Sequence, residues 1–204
     1  ITRVYEARGY YQARVLEDLV TETGTGTVTL KVKLKEGEPA TLRTLDLRGL
    51  GGVPDLEPRL LASIPLKLGT VFLEETWAQT KVSLVSQLHE AGFAEAKVEG
   101  EAVVDLDAAK VDAVLDVDTG LRFRFGEVYA PTIGKVVPSK LIKEEAEEEL
   151  PKGSWYTDTA LANAQARVFQ MGVFSAVKVN RGIPDREKAE LPIIVDVREA
   201  SMRS

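Results

Sequence analysis

His89-Glu-Ala-Gly92-Phe-Ala-Glu-Ala-Lys-Val98 decides the fold, because the chain spells the same order twice more. Glu6-Ala-Arg-Gly9-Tyr-Tyr-Gln-Ala-Arg-Val15 and Phe169-Gln-Met-Gly172-Val-Phe-Ser-Ala-Val-Lys-Val179 also run from a helix end through a glycine and an aromatic or apolar residue into a strand. The glycines at 9, 92 and 172 lie 83 and 80 residues apart. Self-similarity of this kind means that one structural unit has been copied along the chain. Each glycine follows a helical pattern, at the position where a residue without Cβ most easily takes the left-handed conformation that stops a helix.

Working outward, the strand after each string repeats on one register: Val28, Leu30, Val32, Leu34; then Val111, Ala113, Leu115, Val117; then Leu191, Ile193, Val195, Val197. Alternation of period two predicts three half-buried strands, each turning one face to a core. Thr23-Gly-Thr-Gly26 reads as a hairpin turn in the first copy. Upstream, Leu73, Trp77, Leu84, Leu88 and Ala91, and again Leu161, Ala164, Val168 and Met171, fall on one helical stripe. Shorter helices precede these, from an Asp55 cap through Leu60, Leu61 and Ile64, and from a Ser139 cap through Leu141, Ile142, Ala146 and Leu150. Before them stand strands Leu42 to Leu47 and Phe125 to Ala130. The unit is therefore strand, helix, helix, strand, strand. It is complete at 38–120 and 121–200 and partial at 1–37, where only a helix end and two strands are expected, with 201–204 leading onward.

Composition narrows the chemistry. The chain has 204 residues, net charge −6, no cysteine and one histidine. With 26 basic against 32 acidic residues and no basic cluster, nucleic acid is not an expected partner. No segment is long and apolar enough for a spanning helix. The chain begins at Ile1 in what reads as the last turns of a helix, as an excised piece would. A single His89 predicts no His pair, His–carboxylate relay or Ser-His-Asp constellation, and reads as a partly exposed side chain near a helix C-terminus. Leu47-Arg-Gly-Leu-Gly-Gly52 lacks the glycine order of a phosphate loop. The run Lys143-Glu-Glu-Ala-Glu-Glu-Glu149 reads as a solvated helix face, with Glu145, Glu148 and Glu149 as a possible contact for a partner. Trp77, Trp155, Phe93 and Phe174 read as packing residues, and Tyr10 or Tyr11 as the exposed aromatic. Neither catalytic residues nor a cofactor or metal site is expected. An enzyme would require neighbours such as Glu74 and Glu75 to converge, which adjacent helix positions do not do.

A tandem β-α-α-β-β unit with a glycine-to-aromatic step into its second strand resembles the POTRA (polypeptide-transport-associated) domains of the Omp85 outer-membrane superfamily, of the TamA or BamA kind. Leu68-Gly69-Thr-Val-Phe72 and Lys152-Gly153-Ser-Trp-Tyr156 resemble that family's glycine-aromatic step before the second helix. Ala166 to Val179 and Leu191 to Ala200 resemble the last such unit and the strand that runs into a membrane barrel. The resemblance implies an α+β fold, each unit a three-stranded mixed sheet packed on two helices. It also implies a place on the periplasmic face of a bacterial outer membrane, ahead of a C-terminal β-barrel.

The resemblance further assigns the outer sheet edge to the second strand of each unit, Ala13–Glu17, Ala94–Glu99 and Phe174–Asn180. Edge strands offer unpaired N–H and C=O groups to an extended chain, so polypeptide binding by β-augmentation is the expected function. Its expected carriers are Ala13, Val15, Glu95, Ala96, Lys97, Val98, Ser175, Ala176, Val177 and Lys178. Proline at Ala96 or Ala176 is expected to remove an edge donor with little loss of folding. Implied partners are unfolded outer-membrane or secreted polypeptides and a periplasmic or inner-membrane accessory protein. Two other classes compete: a two-partner-secretion transporter, and a scaffold or division protein using a POTRA-like module.

Overall fold

The structure, a computed structural model, describes residues 1–23, 27–131 and 137–200. The expected turn at 23–26 and the onward connection at 201–204 therefore fall outside the described residues, Thr23 excepted. The chain forms two compact units, one of Ile1–Leu84 with Val98–Val117 and one of Val85–Lys97 with Asp118–Ser204.

In the first unit a short helix α1 (Thr2–Glu6) leads to strands β1 (Arg14–Thr23) and β2 (Thr27–Lys35), paired antiparallel as a two-stranded sheet. Strand β3 (Thr41–Arg48), helix α2 (Glu57–Ser63), helix α3 (Glu74–Glu90), β4 (Lys97–Asp105) and β5 (Lys110–Asp118) follow, α3 and β4 continuing across the division. Their sheet has the order β3-β5-β4, with β3 and β5 parallel. The four residues between β4 and β5 suffice only for antiparallel neighbours. The sheet is therefore mixed. Ala40, Leu42, Leu66, Phe72, Val111 and Ala113 form its core, and Tyr11 and Trp77 pack against it.

The second unit repeats the plan with β6 (Arg124–Tyr129), α4 (Ser139–Glu147), α5 (Asp158–Phe169), β7 (Phe174–Arg181) and β8 (Glu190–Glu199). The sheet order is β6-β8-β7, with β6 parallel and β7 antiparallel to β8. Phe123, Phe125, Ile142, Leu150, Tyr156, Ala164, Val168, Leu191, Ile193 and Val195 are all buried in one core. Each large apolar side chain so buried contributes about 1.5–3 kcal/mol.

The copies agree to single hydrogen bonds. The Ala40 N–H donates to Gly9 O at 2.8 Å and the Ala40 carbonyl accepts from Phe72 N–H at 2.9 Å; Phe123 does the same with Gly92 O (2.8 Å) and Tyr156 N–H (3.0 Å). Gly9, Gly92 and Gly172 have φ of +90°, +100° and +76°, the left-handed stop read from the sequence. Ala109 and Ala189, which lack glycine's freedom, also take positive φ (49° and 52°), and their carbonyls accept from Thr41 and Arg124 N–H.

Several local expectations are corrected. Asp55 lies in a 3-10 turn, Pro54–Leu56, ahead of α2, and Pro138 rather than Ser139 caps α4. The α5 cap is Thr157, whose Oγ1 accepts from Ala160 N–H at 3.1 Å. Leu73 and Leu141 are exposed. On β2, Val28 and Leu30 are 60% and 55% exposed, whereas Val32 and Leu34 of the same face are half-buried. Alternation marks which side of a strand is apolar; it does not supply the layer that covers it.

Candidate functional site

The second strand of each complete unit is an edge: β4 flanks β5, and β7 flanks β8, on one side only. On β7 the direction of each donor follows from one contact. The Val179 N–H leaves the sheet and donates to Oε1 of Gln165 on α5, at 3.2 Å. Antiparallel pairing alternates donors, so the N–H groups of Val177 and Arg181 also point outward, and those of Ala176, Lys178 and Asn180 point to β8. The Gly182 N–H, on the inward parity, reaches Pro192 O at 2.7 Å. Ser175 Oγ donates to the Arg198 and Glu199 carbonyls. Side chains alternate as well: Phe174 and Val177 are buried, and Ala176 and Lys178 are exposed.

This geometry revises the expected edge. In the middle copy the strand starts at Lys97, so Lys97 and Val98 belong to it and Glu95 and Ala96 do not. Ala96 is buried and its N–H donates to Phe93 O at 3.0 Å, while Glu95 pairs with Arg186 at 2.9 Å. Ala13 stands before β1, with its N–H given to Tyr10 O; Val15, on β1, is exposed. Proline at Ala96 or Ala176 would therefore break an internal bond, contrary to expectation. Lys97 shares with Arg181, Ala94, Ala96, Val85 and Leu191 the lining of a cleft of about 430 Å³. Lys97 has no ion pair among the described residues, and Arg181 gives its Nη1 donor to the Ala94 carbonyl. The end of β7 thus meets an apolar floor rimmed by two cations.

His89 lines the same cleft; it is half-buried in the last turn of α3, as expected, but it meets a carboxylate, which was not expected. Its side chain is 14% exposed, and Nδ1 lies 2.7 Å from Oδ2 of Asp158, whose Oδ1 accepts from the Tyr156 hydroxyl. A lone histidine rules out a His pair but not a His–carboxylate contact. Burial pushes the Asp158 carboxyl up, and the bonds from Tyr156 and His89 together outweigh it, holding it below the ordinary aspartate range. Burial, aided by the Asp158 bond, raises the Tyr156 hydroxyl.

The other singled-out residues occupy quieter places. Arg167 of α5 holds Glu145 at 2.9 Å and Glu149 at 3.8 Å, which leaves Glu148 as the exposed acid of that trio. Glu74 and Glu75 line a shallow cleft with Arg3 and Arg8, but Glu74 pairs with Arg3 and Glu75 accepts from Gln79. Tyr10 and Tyr11 are both half-buried, Tyr129 and Phe169 are 55% and 52% exposed, and Trp155, expected to pack, is 39% exposed. The guanidiniums of Arg122 and Arg124 stand 4.0 and 3.8 Å from its ring centre.

Comparison with solved structures rests on this architecture. POTRA domains 3–5 of BamA from Haemophilus influenzae superpose with a TM-score of 0.66 at 23% identity, covering 96% of this chain and 76% of that one. BamA from Haemophilus ducreyi lacking POTRA domains 1–3 gives 0.63 at 17% identity over 79% of this chain, which spans 29% of that one. The chain has the POTRA fold. A POTRA pair from the periplasmic domain of Omp85 from Anabaena agrees at 0.50 and 17% identity, over 81% of this chain and 99% of that one. No protein-family model and no curated protein matches the sequence. The POTRA plan accounts for β4 and β7 lying outermost. No helix among the described residues is long and apolar enough to cross a membrane, which says nothing of a β-barrel.

Proposed function

We propose that the chain is the periplasmic arm of an Omp85-superfamily outer-membrane protein. It takes up extended stretches of unfolded client polypeptide by β-augmentation and passes them to a C-terminal β-barrel. The chemistry is that of the main chain, with no catalytic step and no cofactor. The observation that carries this reading is the outward row of Val177, Val179 and Arg181 N–H groups on β7, with the side chain of Gln165 on the middle one. Main-chain bonds tolerate any client sequence. Each nets only about 0.5–1.5 kcal/mol, so a pairing four or five residues long holds a client weakly and lets it go.

The test is a titration of the isotopically labelled chain with an extended peptide of about ten residues taken from an outer-membrane strand, a typical barrel-strand length. Backbone amide signals of Val177, Val179 and Arg181 should shift in step, more than those of Ala176, Lys178 and Asn180, at peptide concentrations near millimolar. Shifts confined to other surfaces, or none at all, would overturn the edge as the binding site.

A further inference from the structure

Each unit places a carboxylate at the first residue of its second helix, Glu74 on α3 and Asp158 on α5. In the first unit that carboxylate meets an arginine: Arg3 Nη2 lies 2.5 Å from Glu74 Oε1, and the Glu74 N–H donates to Ala7 O at 3.1 Å. In the second unit the corresponding carboxylate meets the chain's one histidine, His89 at the end of α3. Beside this contact Glu90 Oε1 accepts from the Thr159 N–H at 2.9 Å, and the His89 ring stands edge-on to Tyr156, 6.3 Å between centres. Arginine keeps its charge at every physiological pH, whereas histidine is the side chain that ordinarily changes charge between pH 5 and 8.

We propose that His89 and Asp158 form a proton-operated latch fastening the end of α3 to the start of α5, and that the Arg3–Glu74 contact is its permanently closed counterpart. A neutral imidazole gives the Asp158 carboxylate one hydrogen bond. A protonated one adds a full opposite charge at the same 2.7 Å contact, which strengthens it. The latch is therefore tight at mildly acidic pH and slack at alkaline pH. The groups facing His89 act in both directions. Asp158 on α5 and Glu90 on α3 favour the protonated ring, as does Glu95 in the turn, already shared with Arg186. Lys97 at the start of β4 and Arg181 at the end of β7 oppose it from the cleft, and the buried Tyr156 stays neutral. The Asp158 contact, at 2.7 Å, is the direct one, and it is the contact on which the latch rests. The segment the latch holds carries Val85, Ala94, Ala96 and Lys97, so slackening it loosens one wall of the cleft.

A single histidine makes the test direct, because its ring signals in a proton–carbon spectrum need no assignment. In the unaltered chain the ring should titrate, and Asp158→Asn should lower its midpoint by about half a pH unit or more, a threefold or larger drop in proton affinity. Hydrogen exchange of residues 85–97, corrected for the intrinsic pH dependence, should be about threefold to tenfold slower at pH 6 than at pH 8. His89→Arg should hold the slow rate at both pH values, and the segment around Arg3 and Glu74 should show no such difference. An unchanged midpoint in Asp158→Asn, or a pH difference that persists in His89→Arg, would overturn the latch.

Discussion

Gln165 does for Val179 what the first residue of an incoming strand would do, and removing it exposes the edge without touching the core. Gln165→Ala should leave stability within about 0.5 kcal/mol, speed exchange of the Val179 amide, and tighten binding of extended peptides, all readable by the same amide titration. Nothing in the sequence announces this contact: a glutamine on a helix carries no sign of the strand fourteen residues on that it will reach. Trp155 was equally hidden. The expectation of a packed Trp155 weighed aromatic size alone, whereas the structure leaves the indole partly exposed with the guanidiniums of Arg122 and Arg124 against its ring. Trp155→Ala removes both contacts and should cost about 1–3 kcal/mol in chemical denaturation, since a cation over an aromatic face contributes about 0.5–1 kcal/mol at exposed sites and more when desolvated.

At the level of elements, β5 and β8 were legible almost residue by residue: Val111, Ala113, Leu115 and Val117 are buried, as are Leu191, Ile193 and Val195. Strand starts were not. Ala94 and Ala96 continue the alternation of β4 backward, yet both are buried in the turn that precedes it, because small apolar residues suit a tight turn and a strand face alike. Donor direction was also out of reach, since period two gives two equivalent phases until one hydrogen bond fixes which is outward. That phase makes a paired prediction. Lys178→Pro removes a donor aimed at β8 and should cost about 3 kcal/mol or more. Val179→Pro removes an outward donor and should cost less in the same denaturation series while abolishing peptide-induced shifts on β7.

Across the whole molecule several carboxylates are held below their ordinary values: Asp112 at about 2 by its bonds from Arg43 and Thr44, Glu127 by Lys152 and Lys143, and Asp185 by the backbone N–H of Lys188, in addition to Asp158. The unfolded chain takes up these protons at higher pH than the folded one. Stability is therefore full near neutrality and drains away as pH falls through about 4 toward 2. Melting temperatures recorded by circular dichroism should fall steadily below about pH 5. The repeat that organises the molecule could be read from three glycines, but the exposure of Val28 and Leu30 on β2 could not. Val28 and Leu30 stand in water on a chain whose copies each carry net charge −6. Hydrophobic attraction and like-charge repulsion then oppose one another whenever two molecules meet, and electrolyte weakens the repulsion alone. Light scattering from a concentrated sample should accordingly rise on adding sodium chloride, and replacing Val28 and Leu30 with threonine should silence that response.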